Sequence, residues 1–533
     1  MNKPFKAEED HVMIEKAKKL FKNIQIWRKN FMLEKDKSRR SNPLKTNRKI
    51  VLISIMLAMF MAAIESTIVA TAMPSIVADL GGFSLFSWVF SAFLLSQAVT
   101  IPIYGKLADL YGRKPVFAFG IIVFLFGSLL CGFAQTMNTL ILFRLIQGFG
   151  AGAIQPIATT IVGDIFNLDE RAQIQGYLSS VWGVSSLIGP ALGAFFVQYV
   201  RWSWIFWINI PLGLLALVGI WLFLGETVQK HDHQIDFIGS SLLFISISAL
   251  MVVFIQVGTI WSWTSAPALL LLGVFIAGIT LFIVQEKRAS EPIMPLGIWQ
   301  DSLIAVSNLA TLTTGVIIIG IATFLPTYIQ GVMQQTPMIA GFSLAFLSMG
   351  WPVASAFAGK LMLKYGFRRI AIIGGIWIVL GSLFFITLNP ARGWLWAGAG
   401  SFLIGIGMGL TRTVFIVGIQ NSVAWEKRGV ATATNMFMNI LGNTLGAALL
   451  GGILNSSLTR YLKAANGQLA LNVDIINVLL DPVKRATLPQ EVLKIMTTGL
   501  ASSLHYVYWS LFILAVLSFI LILFFPKKVR ETV

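Results

Sequence analysis

The sequence predicts an all-α integral membrane protein in which fourteen spans form two six-helix bundles plus two inserted spans, with both termini cytoplasmic. Three observations lead there. The 533-residue chain is 56% hydrophobic and 12% charged, with a mean hydropathy of +0.78, whereas soluble domains carry roughly a quarter charged residues. Beyond residue 50 the apolar stretches run to ~20 residues, enough for a helix to cross a hydrocarbon core of ~30 Å. A basic turn, Gly105-Lys-Leu-Ala-Asp-Leu-Tyr-Gly-Arg-Lys114, lies between two such stretches. It returns as Gly359-Lys-Leu-Met-Leu-Lys-Tyr-Gly-Phe-Arg368, with both glycines displaced by 254 residues. A turn written twice at equivalent places marks a duplicated bundle, and two packed halves rocking about a central site are the usual build of a transporter.

Residues 1–49 are a basic tail. Within it Ile14, Ala17, Phe21, Ile24, Trp27 and Phe31 recur at helical spacing with lysines between. That pattern fits either an amphipathic helix on the inner membrane surface or a solvated tail that only sets topology. The first bundle takes residues 50–225, its spans centred near Phe60, Ser96, Phe124, Gly150, Trp182 and Gly213. Two inserted spans, near Ser246 and Phe275, take 236–286. The second bundle takes 302–526, centred near Ile317, Ala354, Ile376, Gly405, Ile440 and Leu514, and 527–533 form a short cytoplasmic tail. Gly148, Gly150 and Gly152 recur 257 residues on as Gly405, Gly407 and Gly409, and Gly189 recurs as Gly446. Ala70-Thr71-x-x-Pro74 is echoed by Ala322-Thr323-x-x-Pro326, while the pair of spans between the bundles has no counterpart.

Charge sets the orientation. Arg113–Lys114, the run Lys360, Lys364, Arg368, Arg369, and the tail Lys527, Lys528, Arg530 mark one face as cytoplasmic, because Lys and Arg gather on that side of a membrane. Connections on the other face, such as 133–138 and 331–337, carry almost no charge. The long outer connection 455–503 is expected to fold into short surface helices and is assigned no chemistry.

Composition also excludes. A net charge of +17 lies mostly in cytoplasmic segments, so it points to the lipid bilayer and not to nucleic acid. The single cysteine, Cys131, excludes an intrachain disulfide and a cysteine-based metal site. His231 and His233 flank Asp232 in a short loop, which reads as a solvated turn and not a ligand set. No Gly-x-x-x-x-Gly-Lys-[Ser/Thr] loop is present, so ATP is not expected to drive the protein from its own chain, and neither an enzyme nor a metal cofactor is expected.

The 105–114 turn resembles the loop motif of the major facilitator superfamily, Gly-x-x-x-Asp-Arg-x-Gly-Arg-Lys, departing from it at Leu110. Gly105 and Gly112 permit a tight turn and close helix approach. Asp109 and Arg113 can pair with each other or with neighbouring helix ends, and Lys114 closes the motif. The resemblance implies a latch between halves, with Arg113 reaching Asp164 at the end of span four; the plainer reading is a basic loop that fixes topology. Gly176, Ser185, Gly189, Pro190 and Gly193 resemble the superfamily's antiporter motif, with Ser185 and Ala194 replacing two glycines. There the motif marks exporters, although small residues also serve ordinary helix packing.

Two further runs narrow the family. Ile64-Glu-Ser-Thr-Ile-Val-Ala-Thr-Ala-Met-Pro74 resembles the first span of the fourteen-span drug:proton antiporters, with Glu65 at their acidic position. Arg201-Trp-Ser-Trp-Ile-Phe-Trp-Ile-Asn-Ile-Pro211 resembles the opening of their sixth span. The resemblance covers nearly all of 50–525 and implies a monomeric multidrug exporter of a bacterial plasma membrane, using protons and no cofactor to expel amphipathic small molecules. A dedicated exporter or flippase for a lipid or metabolite shares the fold, and a transport-inactive sensor or scaffold is the third alternative.

A carboxylate in mid-span costs a few kcal/mol and usually works for its place. Counting ~1.5 Å per residue from Lys49 sets Glu65 about 24 Å up a ~30 Å core, and Arg144 lies ~9 Å down from Asn138, so the two depths nearly coincide. In the resembled fold both spans line the central cavity, where Glu65 and Arg144 are expected to meet and couple protons. Arg144 also belongs to the family's Arg144-x-x-Gln147-Gly148 motif, which leaves a bracing role open. Gln155, Arg412 and Asn439 are expected to line the substrate cavity. Arg412 stands 257 residues beyond Gln155. It either faces that cavity, disfavouring strongly cationic cargo, or snorkels to the inner interface.

Overall fold

The computed structural model describes residues 46–526 apart from 167, 227–235, 259, 290, 291, 293, 295, 424–427 and 466–472. The amphipathic segment of the tail, residues 527–533 and His231–His233 lie outside the described residues, as does the side chain of Asp109. Fourteen helices among the described residues are long and apolar enough to cross a membrane, and each expected span centre falls within one of them.

The first six spans are α1 (Arg48–Leu80), α2 (Phe86–Tyr111), α3 (Arg113–Gly132), α4 (Met137–Ile165), α5 (Leu168–Tyr199) and α6 (Asn209–Phe223). Then come α7 (Phe237–Gln256) and α8 (Ala266–Arg288). The last six are α9 (Ser302–Thr327), α10 (Pro337–Tyr365), α11 (Phe367–Ile386), α12 (Gly393–Ser422), α13 (Arg428–Ala465) and α14 (Gln490–Leu523). The two sets of six pack by one scheme. In the first, α1 lies on α5 and α6, and α4 lies on α2 and α3; in the second, α9 lies on α13 and α14, and α12 lies on α10 and α11. The sets meet along α2–α13 and α5–α10, and α7 docks across the first of those seams.

Glycine decides how near the helices come. A Cβ at Gly127 would stand 2.5 Å from the Gln147 backbone, and one at Gly407 would stand 2.5 Å from the Gly374 carbonyl. These contacts draw α3 onto α4 and α12 onto α11, the close approach that small residues allow between spans. Gly112 and Gly366 both carry positive φ, 99° and 86°, so the repeated turn needs glycine at the same place in both copies. Gly105 behaves otherwise than expected: a Cβ there would meet no heavy atom within 4 Å. It supports no helix contact in this conformation.

The two ends of the molecule differ. At the end away from the basic turns, one apolar cluster takes residues from both halves, among them Ile68, Phe83, Phe86, Phe324, Tyr328 and Leu480. Toward the basic end the core divides. One cluster, with Val51, Phe117, Ile157 and Ile220, belongs to the first half alone; another, with Leu303, Ala358, Phe415 and Phe525, belongs to the second. A Cβ at Gly163 or Gly359 would meet only open space. Among the described residues, the halves therefore share one core at the far end, while toward the basic end each keeps a core of its own.

The far connection is shorter than the sequence predicts. Both α13 and α14 run on into 455–503, leaving a strap from Val473 that holds two short helices, Ile476–Leu480 and Pro482–Ala486. This strap belongs to the second half but bonds to the α1–α2 turn. Gly82 has no side chain with which to cap the residues after it, so the Phe83 and Ser84 amides donate to Asn477 Oδ1 and Asp474 Oδ1 at 3.1 and 3.0 Å. Lys484 Nζ donates to the Ala78 carbonyl at 3.2 Å, and Asn455 Nδ2 donates to the Ser84 carbonyl at 2.7 Å.

Candidate functional site

The α4 helix starts at a reciprocal cap between Thr136 and Thr139, which fixes its first turns. Arg144 and Gln147, three residues apart, then share one face. Gly148 on that helix packs against Phe93 and Ser96 of α2, so Arg144 lies under the Phe93 ring with its guanidinium carbon 4.0 Å from the centroid. Its Nε donates to the Val89 carbonyl at 3.2 Å. One guanidinium nitrogen donates to Glu65 Oε1 at 2.5 Å and to Gln147 Oε1 at 2.6 Å.

The second oxygen of Glu65 is held from α6, where Asn209 Nδ2 donates at 2.6 Å. Ser128 on α3 accepts from Gln147 Nε2 at 2.7 Å and completes the cluster. Five polar side chains from four spans thus form one network, all of them buried, with Glu65 fully so and Arg144 2% exposed. Desolvating two charges is expensive, and the pair persists because both Glu65 oxygens and two of the three Arg144 nitrogens have hydrogen-bond partners in place.

Glu65 and Arg144 meet at the depth that helix counting gives, but they meet inside the first half and not on the open cleft. Phe93 covers the guanidinium, while α6 brings Asn209 onto the carboxylate and α3 brings Ser128 onto Asn209 and Gln147. Sequence reasoning singled out neither Ser128 nor Asn209. A lone asparagine in the apolar run Trp204-Ile-Phe-Trp-Ile-Asn-Ile-Pro211 was a legible signal; Ser128 offered none. The repeat offers no second copy of the pair, since Arg144 corresponds to Ser401 at 257 residues.

At the basic end, Arg113 Nε lies 3.1 Å from Asp164 Oδ2, as the resemblance implies. A residue that sequence reasoning passed over shares the turn. Glu226, just beyond α6, accepts from the Arg113 and Lys114 amides at 2.6 and 2.9 Å, satisfying the free N–H groups of α3 with a carboxylate. Lys114 Nζ donates to the Leu224 carbonyl at 2.8 Å. These contacts tie the turn to its own half.

The α5 motif packs on two sides, against α1 of its own half and against α10 across the seam. A Cβ on Gly189 would collide with Thr67, and one on Gly193 would stand 2.9 Å from the Ile68 carbonyl, both on α1. Pro190 faces the other way, where a Cβ on Gly341 of α10 would come within 2.9 Å of it. Gly176 lies further toward the basic end of α5. Gln155, Arg412 and Asn439 are each half-buried, at similar heights on α4, α12 and α13. The nearest resolved partner of Arg412 is the Trp351 ring, 5.5 Å from its guanidinium carbon. Among the described residues no group of three metal-binding side chains occurs.

Known proteins share this plan. A family model described as the Major Facilitator Superfamily matches residues 55–447. Multidrug resistance protein 3 of Bacillus subtilis (strain 168) is 34% identical over 497 residues, which cover 92% of this chain and 97% of that protein. The multidrug transporter protein MdtP of the same organism is 31% identical over 490 residues, covering 87% and 91%. Among solved structures, the fold is similar to a bacterial homolog of the human lysosomal transporter Spinster in an inward-facing, unoccupied conformation. That likeness has a TM-score of 0.64 at 16% identity, over 91% of this chain and 99% of that one. The chain belongs to the Major Facilitator Superfamily: it is a multi-pass membrane transporter and not an enzyme.

Proposed function

We propose that this protein exports amphipathic small molecules across a bacterial plasma membrane, driven by proton inflow, as a monomer with both termini in the cytoplasm. The buried Glu65–Arg144 pair carries this reading, supported by the names of the two Bacillus relatives. A proton taken by Glu65 turns an acceptor into a donor and leaves Arg144 as an uncompensated buried cation, which is strongly unfavourable. Relief requires α1 and α4 to shift. Because α1 also lies on α5, α9 and α10, and α4 lies on α2, that shift reaches both seams between the halves. The membrane potential supplies ~2.3 kcal/mol per charge per 100 mV and each pH unit ~1.4, so one or two protons sustain a useful drug gradient with no cofactor.

In this reading the basic end is cytoplasmic and the structure is open to the cell interior, ready to load cargo. The test is drug export in everted vesicles held at an imposed pH gradient. Addition of an exported drug should dissipate the gradient, and collapsing the gradient first should stop accumulation. Accumulation that ignores the gradient would end the proton-coupled reading. Transport confined to one lipid class would favour a flippase, and no transport at all would favour a sensor or scaffold.

Arg113→Ala removes the Asp164 pair while leaving the Glu226 contacts to the backbone amides intact. It should slow cycling severalfold and move the resting population away from the inward-open form that holds the pair, read as lower reactivity of cysteines introduced on the cytoplasmic side of the cleft. Unchanged reactivity together with unchanged transport would reduce the turn to a topology signal.

A further inference from the structure

Asn209 makes only half of the hydrogen bonds its amide allows. It is fully buried, and its Nδ2 donates to Glu65 Oε2 at 2.6 Å and to Ser128 Oγ at 3.4 Å. Its Oδ1 is buried with no donor, an arrangement that costs free energy in a native fold. The side chain is nevertheless held in place. Along the facing helices α1 and α6, Ser54 meets Gly219, Met61 meets Gly213, and Glu65 meets Asn209. A Cβ at Gly213 would stand 2.9 Å from Met61 Sδ and 2.5 Å from Leu125, so close packing fixes the register that sets Asn209 on the carboxylate. What remains free is rotation about the Cβ–Cγ bond. It exchanges an amino group for an oxygen of nearly the same size, and both orientations fit the same space.

We propose that Asn209 is a positioning residue for the coupling proton: its amide donates to ionised Glu65, and turns over to accept from Glu65 once the carboxyl is protonated. A protonated carboxyl presents an O–H, which Nδ2 cannot accept and Oδ1 can. In the turned orientation Oδ1 takes the place now held by Nδ2, and the Ser128 hydroxyl, which now accepts, can swing its own proton toward it. The proton stays on Glu65 and only the direction of the hydrogen bonds reverses. Gln147 Oε1 is already taken by Arg144, which leaves Asn209 Oδ1 as the unclaimed acceptor beside the carboxyl. The titratable groups facing Glu65 are Arg144 from α4 and the Cys131 thiol from α3. Among the described residues, α5, α6, α9 and α10 turn no titratable side chain toward it. Arg144 can then separate from a neutral Glu65 while Asn209 keeps α1 on α6. The inference rests on the proton-coupled reading above, since it names the group that receives the loaded carboxyl.

The test is infrared difference spectroscopy of the purified full-length protein between neutral and acid buffer, with export read in everted vesicles. Acidified wild type should show a carboxylic C=O band that Glu65→Gln lacks, together with a change in an asparagine side-chain carbonyl band. Asn209→Leu keeps the bulk and removes both hydrogen-bonding groups. It should move the Glu65 band to the higher frequency of an acid without an acceptor, abolish the asparagine change and slow proton-coupled export about tenfold. Asn209→Gln, which keeps a carboxamide, should return the band toward its wild-type frequency. Asn209→Ser, too short to reach Glu65, serves the same comparison if the leucine variant does not fold. A Glu65 band at wild-type frequency in the leucine or serine variant would overturn the proposal and leave proton coupling standing. No Glu65-dependent band at any pH would overturn both. A band that depends on Glu65 and Asn209, in a protein whose export ignores the pH gradient, would uphold the amide's role and end the coupling reading alone.

Discussion

Glu65→Gln is expected to abolish proton-coupled transport while leaving the chain inserted and folded. Glutamine preserves the size of the side chain, so helix packing around α1 is unchanged. The Asn209 amide can turn to meet it, because Asn209 Oδ1 is buried without a donor and would accept from the new amide nitrogen. What glutamine cannot do is carry the charge that answers Arg144 at 2.5 Å. Removing one partner of a buried pair costs about 3–5 kcal/mol, so the thermal midpoint in detergent should fall. The double substitution Glu65→Gln with Arg144→Gln should recover much of that loss without recovering coupling. In everted vesicles, drug addition should leave the pH gradient at its background rate in both variants, while Glu65→Asp keeps part of the response. A glutamine variant that dissipates the gradient at the wild-type rate would remove Glu65 from the coupling scheme.

Locking the far end should stop the cycle altogether. Alternating access requires the end now closed to open, and the strap at residues 473–486 crosses from the second half to the α1–α2 turn of the first. With cysteines at positions 84 and 474, a short thiol-reactive linker cleavable by reductant would span the contact now made by the Ser84 amide and Asp474 Oδ1. The native Cys131 is fully buried and should stay unmodified. Linked protein should transport at background, recover on reduction, and still bind cargo from the basic side. Either cysteine alone, treated with the same linker, should transport normally. Undiminished export by fully linked protein would mean that the strap is a surface feature and that opening happens elsewhere.

Much of the fold was legible because its causes are local. An apolar run of span length partitions into lipid whatever its neighbours do, and a duplicated turn whose glycine must adopt positive φ leaves the same residues in both copies. The meeting of Glu65 with Arg144 was also legible, since helix rise is constant and depth can be counted along each chain direction. Arg113 and Asp164 came from family resemblance and not from spacing.

The lateral neighbours were not legible. Counting along a helix fixes height but says little about which other helices surround it, so the burial of Glu65 waited on α3 and α6 to deliver Ser128 and Asn209. Glu226 lies more than a hundred residues from the amides that it caps, and the strap crosses nearly four hundred to reach Phe83. The sequence by itself determined the spans, the repeat, the basic face and the matching heights of Glu65 and Arg144, because each follows from short segments and a constant helix rise. Only the tertiary structure decided that the ion pair is sealed within one half, that Arg412 lies over Trp351, and that the cleft is closed at the far end. Those depend on sideways contacts between helices distant in the chain, where packing of the assembled surfaces, and not the composition of any one span, sets the free energy.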